Sequence, residues 1–331
     1  MAENHVPEAP GTPVAPGPHI SDTTLTTRKM MLDVIIGLVP VLAVSLWVFK
    51  LYALKQIILC VGGCMAAEMI FTWMRGRKAT LGDFSAVVTG LILAFSMPGT
   101  APWYIGIIGA FTAIGLGKIV FGGLGYNIFN PAMVGRAFTM IAFTAMMGAT
   151  AYVAPEAPAA DAISQATPMT AAWQGGEVSE GLLGRLLLGN TNGSLGETSA
   201  LACLVGGIFL CIRRTASWEI PAGAIAGLLA WAGIANLANP GADWTVLHHL
   251  FGGAFLLGSF FIITDPVSSP LTPKGKWVFG ILFGVLVMFL RTFSAYPEGV
   301  MFSVLLVNGV VPLINRWTVP RPLGGPVPQK A

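Results

Sequence analysis

Charge is scarce in this chain of 331 residues, which has 18 Lys or Arg and 15 Asp or Glu, 10% in all. Soluble domains average about 25%, so a soluble protein of this size would lack the charge to cover its surface. Four cysteines are too few for a disulfide scaffold, and 41 glycines without a three-residue period exclude collagen. The hydrophobic fraction of 54% predicts an integral membrane protein, whose slight positive charge reflects anchoring loops and not nucleic-acid binding.

Long apolar runs support this class. A membrane-spanning helix needs about 20 residues, and many runs approach that length. We predict an all-α polytopic bundle of about ten spans, at 31–50, 55–74, 84–99, 102–121, 131–149, 198–212, 218–237, 246–264, 277–294 and 299–315. Several are short or interrupted by Gly or Pro, which fits helices buried in a bundle.

Basic residues predict the orientation, because they concentrate in cytoplasmic loops. With ten spans both termini share one side, and that side collects 14 of the 18 basic residues. These are Arg28, Lys29, Arg75, Arg77, Lys78, Lys118, Arg136, Arg213, Arg214, Lys274, Lys276, Arg316, Arg321 and Lys330. The other side holds Lys50, Lys55, Arg185 and Arg291. We therefore expect cytoplasmic termini and an extracytoplasmic loop 150–197.

The predicted organisation has five parts. They are a disordered cytoplasmic tail (1–27), a first repeat of five spans (28–149), the extracytoplasmic loop (150–197), a second repeat of five spans (198–316) and a cytoplasmic tail (317–331). "GDFSAVVTGLIL" resembles "GETSALACLVGGI", and Asn130-Pro131 parallels Asp265-Pro266. Repeats with an odd number of spans are inverted, and such folds place a site near the repeat interface.

The extracytoplasmic loop contains "DAISQATPMT", which starts at residue 161. Thr167 offers a hydroxyl for a phosphoester, the small Ala166 leaves room beside it, and Pro168 biases Thr167 toward an extended backbone. The string matches the flavinylation pattern Asp-x-x-Ser/Thr-Gly-Ala-Thr, with Gln165 in place of Gly. Proteins with this pattern carry FMN covalently, bound through its phosphate to threonine by a dedicated flavin transferase.

Other strings extend the resemblance to nearly the whole chain beyond residue 18. The chain resembles the D subunit of the Rnf complex, a membrane-bound, ion-translocating ferredoxin:NAD oxidoreductase, in "PHISDTTLTTRKMMLDVIIGLVPVL", "GGLGYNIFNPAMVGRAF", "GSLGETSALACLVGG", "TASWEIP", "FFIITDPVSSPLTPKGKWVFG" and "AYPEGVMFSVLLVNGVVPLI". The homologous B subunit of the sodium-translocating NADH:quinone reductase shares most of them. The short region before the first span favours the Rnf family member.

The resemblance implies an electron-carrying subunit of a redox-driven pump for Na⁺ or H⁺. Thr167 would be the FMN acceptor, with Asp161 and Ser164 recognised by the transferase and Ala166 permitting access. A second, non-covalent flavin (riboflavin or FMN) would lie in the membrane domain. The protein would reside in the bacterial cytoplasmic (inner) membrane, in the lipid bilayer with the other Rnf subunits. No catalytic or metal-ligating side chain is predicted, because the flavin performs the chemistry.

Two other functions remain open. One is the B-type subunit of the quinone reductase, with ubiquinone as the final acceptor. The other, from a different class, is a channel or transporter with inverted repeats and no cofactor. Retention of flavin by the denatured polypeptide separates the redox functions from the last.

Glu68 is an unusual charge near the middle of the second predicted span. A carboxylate inside a membrane is energetically costly, so its presence suggests a functional site. It would line a path for ions or protons, or else it would pair with Arg136 or hydrogen-bond within the bundle.

Three further motifs have both a structural and a functional interpretation. Gly122–Gly125 either breaks a helix or helps to hold an embedded flavin. Ser194–Ser199 either caps a helix or contributes to the covalent-flavin pocket. Asp265 either caps a broken helix or pairs with Lys274 or Lys276.

Overall fold

The computed structural model describes residues 26–77, 80–148, 152–153, 164–165, 167–173, 181–189, 191–238, 244–294 and 298–320. Within them, helices α1 to α5 are Thr27–Phe49, Leu51–Met74, Ser85–Phe95, Trp103–Ile114 and Pro131–Ala142. Helices α6 to α10 are Thr144–Met147, Pro168–Trp173, Leu182–Leu188, Ala200–Ile212 and Glu219–Ala238. Helices α11 to α14 are Val246–Phe251, Phe255–Leu257, Pro273–Phe293 and Val300–Thr318.

Shorter elements complete the fold. A 3₁₀ turn, Leu81–Asp83, precedes α3, and π-helical segments at Gly115–Ile119 and Gly258–Ile262 continue α4 and α12. Strands β1 (Tyr152–Val153) and β2 (Ser164–Gln165) form an antiparallel pair.

All ten predicted apolar runs are helical over most of their length. Five helices, α1, α2, α10, α13 and α14, are long and apolar enough to cross a membrane, while α3, α4 with its π-helical end and α9 are shorter and apolar. The chain is therefore a multi-pass membrane protein. The predicted loop 150–197 is not devoid of helix, since α7 and α8 lie within it.

The fifth and eighth predicted spans are broken. Helix α5 begins with Pro131 at its first position and ends at Ala142, and Phe143 (φ −129°) separates it from α6. Between α11 and α12 the chain turns at Gly253, whose φ of +72° favours glycine. The π-helical segment follows directly, and such segments are frequent at functional sites.

Glycine allows a close helix contact between α10 and α13. A methyl group added to Gly284 would clash with the Ala224 carbonyl oxygen, and one added to Gly227 would clash with that of Ile281. The two backbones touch, as is common for small residues in membrane helices. In the first half of the chain α2 packs against α3 and α4, and α4 against α5.

Three of the basic residues used for the orientation analysis are buried inside the bundle. Lys118 belongs to the π-helical end of α4 and Arg136 to the second turn of α5, and both are buried. Arg291 is buried in the last turn of α13. All three lie inside the predicted apolar runs 102–121, 131–149 and 277–294, yet the orientation analysis counted each of them with the nearest loop.

Candidate functional site

A cavity of about 320 Å³ lies beneath the segment that contains Thr167. Several elements meet there: α5, α6, α7, the segment before α9, the turn before α12 and the start of α14. Apolar side chains form much of its wall, namely Met133, Met140, Met147, Met169, Leu186, Leu257, Val300, Met301 and Phe302. Polar ones are Ser96, Arg136, Thr144, Thr167, Thr170, Thr191, Asn192, Glu197 and Glu298.

Thr167 is half-buried on this wall and caps α7. Its hydroxyl oxygen accepts the Thr170 N–H at 3.2 Å and lies 2.9 Å from the Thr170 hydroxyl. Its carbonyl accepts the Ala171 N–H at 2.9 Å. Pro168 then occupies the first helical position, where its lack of an N–H has no cost. The local sequence thus fixes the hydroxyl at a helix start that borders the cavity.

Two carboxylic acids and two guanidinium groups are charged features of this region. Glu197 and Glu298 line the cavity as neighbours, and their carboxyl groups interact with each other. Arg136 lines it as well, and the polar contact found for its guanidinium is the sulfur of Met147 at 3.8 Å. Arg291 lies behind the wall, where it donates to the carbonyl oxygens of His249 and Gly252 at 2.6 and 2.9 Å.

Burial changes the acidity of Glu197. Its carboxyl group faces the cavity but is otherwise surrounded by protein, and this burial raises its pKa well above the usual range. The neighbouring Glu298 adds to the shift by repulsion and through the shared hydrogen bond, whereas Ser194 and Arg136 oppose it. Glu197 therefore holds its proton more tightly than an ordinary glutamic acid does.

The residues predicted around Thr167 are only partly described. Ser164 pairs with Val153 in the short antiparallel strands, three residues before Thr167. Asp161 and Ala166 lie outside the described residues. The roles of these three residues in flavin attachment therefore stay predictions.

The motif Ser194–Ser199 caps a helix and also reaches the cavity, while its contribution to a flavin pocket stays a prediction. The Ser199 hydroxyl accepts the Ala202 N–H at 3.2 Å and so caps α9. Glu197 in the same motif lines the cavity with Thr167. Sequence reasoning missed Arg136 and Glu298 as cavity residues. Arg136 carried a usable signal, because a charge within an apolar run marks a candidate site.

Glu68 lies in the last third of α2 and pairs with Lys118, so the alternative of pairing with Arg136 is wrong. The Lys118 Nζ donates to the Glu68 Oε1 at 2.8 Å and to the Ser85 Oγ at 2.6 Å. The Thr80 hydroxyl donates to the same Glu68 oxygen. Both members of the ion pair are buried, and Glu68 Oε2 has no hydrogen-bond partner among the described residues.

A smaller cavity, of about 70 Å³, lies at the other end of the bundle. Asn127, Asn130, Lys118 and Asp265 line it. The glycine segment Gly122–Gly125 lies between the end of the α4 region and α5 and interrupts the helical structure. Its φ angles are +127°, +113° and +94° at Gly122, Gly123 and Gly125.

Caps organise this region. The Asn130 Oδ1 caps α5 by accepting the Ala132 N–H at 3.1 Å. Asp265 accepts from the Ser268 hydroxyl at 2.9 Å, which supports the capping role. Pairing with Lys276 is wrong, because that side chain donates to Ser217.

Metal-binding residue types do not cluster in the part of the chain that the structure describes. Among the described residues no group of three or more His, Cys, Asp or Glu side chains could hold a metal ion. Cys60, Cys64 and Cys203 are buried free thiols.

Comparison with known proteins gives a consistent result. A family model described as the NQR2, RnfD, RnfE family matches residues 13–324. The D subunit of the Na(+)-translocating ferredoxin:NAD(+) oxidoreductase complex of Acetobacterium woodii is 40% identical, with 94% of this chain and 95% of the relative aligned. The D subunits of complexes named ion-translocating oxidoreductase are 38% identical in Actinobacillus succinogenes (93% and 96% aligned) and 37% in Halorhodospira halophila (93% and 94%).

Proposed function

Since this chain belongs to the NQR2, RnfD, RnfE family, we propose that it is the D-type, electron-carrying subunit of an ion-translocating ferredoxin:NAD oxidoreductase complex. It would carry FMN bound covalently to Thr167 and work with the other subunits of that complex. Relatives that align with over 90% of this chain bear the corresponding names, and these names support the assignment.

One observation carries the flavin part of the proposal: the Thr167 hydroxyl borders a cavity of about 320 Å³. Ligand pockets commonly measure about 300–1,000 Å³, so the volume suits a flavin ring. The methionines of the wall suit a flat aromatic group, since thioethers contact ring edges favourably. Arg136, with only a weak sulfur contact, would face an anionic part of the ligand. These residues fit the cofactor.

The residues of the chain would then have separate tasks. The flavin, when bound, supplies the electron chemistry. Thr167 anchors it through the phosphoester, the apolar wall excludes water, and Arg136 and the carboxyl pair set the charge around it. A flavin transferase would attach the FMN, and we propose that it recognises Asp161 and Ser164, while the small Ala166 permits access to Thr167.

We further propose ten spans in two inverted repeats, in the bacterial inner membrane, with cytoplasmic termini and the Thr167 loop outside. After Lys118, Arg136 and Arg291 are removed from the count, the remaining basic residues still divide 12 to 3 between the two sides. The pairings α2 with α4 and α10 with α13 occupy equivalent places in two five-span units, as do α4 with α5 and α13 with α14. Both observations support the topology.

Impermeant thiol labelling tests this orientation. Gly184 and Gly82 are at opposite ends of the bundle, and an added side chain at either position would meet no atom within 4 Å. Gly184→Cys should react with an impermeant maleimide in intact cells, and Gly82→Cys only after lysis. The reverse pattern would refute the orientation.

We keep Glu68 as a candidate for the ion path. Lys118 is the cation that neutralises this carboxylate. The second carboxylate oxygen, Oε2, has no hydrogen-bond partner among the described residues and could accept one. A translocated cation would have to share or displace that contact. Glu68→Gln should slow ion uptake by reconstituted complex while leaving electron transfer by the uncoupled complex intact.

A second, non-covalent flavin also stays a prediction. The cavity at the other end of the bundle is its candidate place, and Asn127 Oδ1 there has no partner among the described residues. With about 70 Å³ the cavity does not fit a flavin as it stands, so no role is derived for this group.

In-gel fluorescence of the denatured polypeptide tests the covalent flavin. After co-expression with a flavin transferase, wild type should fluoresce and Thr167→Ala should not. Thr191→Ala is the matched control, because Thr191 lines the same cavity but is outside the flavinylation string. A dark wild type would refute the redox function, whereas a fluorescent Thr167→Ala would refute only the attachment site.

Electron-acceptor assays of the purified complex separate the two redox functions. We expect electron transfer between ferredoxin and NAD. Reduction of a quinone by NADH, without ferredoxin activity, would instead identify the B-type subunit of a quinone reductase.

A further inference from the structure

Glu197 and Glu298 are neighbouring acids on the wall of the cavity beneath Thr167. The Glu298 Oε1 accepts the Ala254 N–H, and the Glu197 Oε2 accepts the Ser194 N–H at 3.5 Å, so backbone donors hold both acids in place. Two neighbouring carboxyl groups repel each other when both are ionised, and they share a hydrogen bond only when one of them carries hydrogen, because a carboxylate only accepts. The pair therefore favours the binding of one proton.

Two arginines and two other titratable groups surround this pair. Arg136 comes from α5, Arg291 from α13 and the Cys203 thiol from α9, and His249 of α11 stands next to Arg291. Neither arginine is hydrogen-bonded to the carboxyl groups; Arg291 is occupied by two backbone carbonyl oxygens. The arginines therefore act on the pair through space, and the proton between the acids remains exchangeable.

The cavity makes this proton consequential. With one proton on the pair, the two acids and two arginines sum to a net charge of +1; without it, they sum to zero. Both carboxyl groups and Arg136 line the cavity, so a group inside it experiences this change at short range, where a low local dielectric strengthens it.

We propose that the Glu197–Glu298 pair is an exchangeable proton-binding site that sets the charge of the cavity beneath Thr167 and couples protonation to the redox state of the group held there. The coupling part rests on the proposed flavin at Thr167. The electron that reduces the flavin comes from the reductant. The compensating proton comes from solvent and forms an O–H bond on one carboxylate of a Glu197–Glu298 pair that was fully ionised. By thermodynamic linkage, binding of the proton raises the reduction potential of the flavin. Reduction of the flavin strengthens proton binding by the same free energy.

Infrared spectroscopy tests the proton site without any flavin. As the pH of wild-type protein rises from about 5 to about 9, a protonated-carboxyl band should disappear well above the range of ordinary glutamic acids, about 4.3. The band should be missing in Glu197→Gln and retained in Glu219→Gln, a matched change at the start of α10. Identical spectra for wild type and Glu197→Gln would overturn the proposal.

Redox titration of the flavin with dithionite, at a series of pH values, tests the coupling. Over the pH range in which the infrared band disappears, the wild-type potential should fall further than that of Glu197→Gln. We expect the fall in the wild-type potential to exceed that of the variant by at least about 59 mV, which is a tenfold change in the equilibrium constant for a one-electron couple. Glu298→Gln should behave like Glu197→Gln, and Glu219→Gln like wild type.

The possible failures are distinguishable. A wild type without gel fluorescence refutes the flavin at Thr167, while the infrared result still decides the proton site. Fluorescent protein whose potential follows pH identically in wild type and in both cavity variants overturns the coupling.

Discussion

Carboxyl groups meet buried cations at two places among the described residues, and the two clusters differ in the space they enclose. In the first, Glu68 and Lys118 form a 2.8 Å ion pair that is 0% and 2% exposed. In the second, Glu197 and Glu298 are neighbours on the wall of a cavity of about 320 Å³, with Arg136 beside them. The first cluster neutralises itself, whereas the second keeps a cation without an ionic partner.

This difference predicts which cluster contributes more to stability and which contributes more to ligand binding. A close, neutral pair recovers by mutual attraction much of what desolvation costs, and removal of one partner strands the other. A cavity with an unneutralised guanidinium has charge available for a ligand. We therefore expect substitutions in the first cluster to affect folding most, and those in the second to affect the cofactor most.

The largest effect is expected for Lys118→Met. The substitution keeps most of the side-chain volume but leaves Glu68 charged and unpaired, which typically costs about 3–5 kcal/mol in a buried pair. Thermal unfolding in detergent should reveal this loss. The double variant Glu68→Gln/Lys118→Met should recover much of it, because no isolated charge remains. If Lys118→Met unfolded at the wild-type temperature, the ion pair would not be structural.

Arg136→Met should change the flavin potential more than it changes stability. Because Arg136 borders a cavity and has only a sulfur contact, its removal should cost about 1 kcal/mol of stability, the average for single substitutions. The flavin potential should fall by roughly 60 mV, equivalent to a tenfold change for one electron, because a stabilising positive charge is lost. Redox titration and thermal unfolding of the same sample measure both. A large stability loss at unchanged potential would contradict the comparison.

Stability should fall with rising pH because of Glu197. The pKa of this carboxyl is raised in the folded state, so between its unfolded value of about 4.3 and the raised value the native protein binds more protons than the unfolded one. Its contribution is thus complete below the unfolded pKa and is lost as pH rises through the folded pKa. Unfolding temperatures measured across this range should decline less steeply for Glu197→Gln than for wild type. Equal slopes would contradict the prediction.

Much of the fold follows from the sequence, because apolar runs of sufficient length must form helices in a membrane. All ten predicted runs are indeed helical. The breaks at Phe143 and Gly253 were not predicted, since they depend on how helix ends pack around a cavity, and residue patterns do not contain that information.

The site was only partly predictable. Thr167 could be predicted because its motif is local and lies within seven residues, and its role as the flavin acceptor stays a prediction. Its neighbours Arg136 and Glu298 are 31 residues before and 131 residues after it in the chain, and only the tertiary fold brings them to one cavity. For the same reason the partner of Glu68 was wrong: Lys118 seemed to belong to a loop until the π-helical end of α4 placed it inside.

The smallest effect is expected at a third charged pair, which marks the limit of the comparison. Arg213 and Asp33 are 3.2 Å apart, but the arginine side chain is 46% exposed. Water and salt screen such a pair, so Arg213→Ala should cost less than about 1 kcal/mol, and less again at high salt. Asp33→Ala should cost more, because the buried Asp33 also accepts from the Thr215 hydroxyl at 2.9 Å, which would lose its partner. Thermal unfolding at low and high salt measures both. Equal costs would mean that exposure does not distinguish the two partners, and that burial alone is a poor guide to which charges stabilise this bundle.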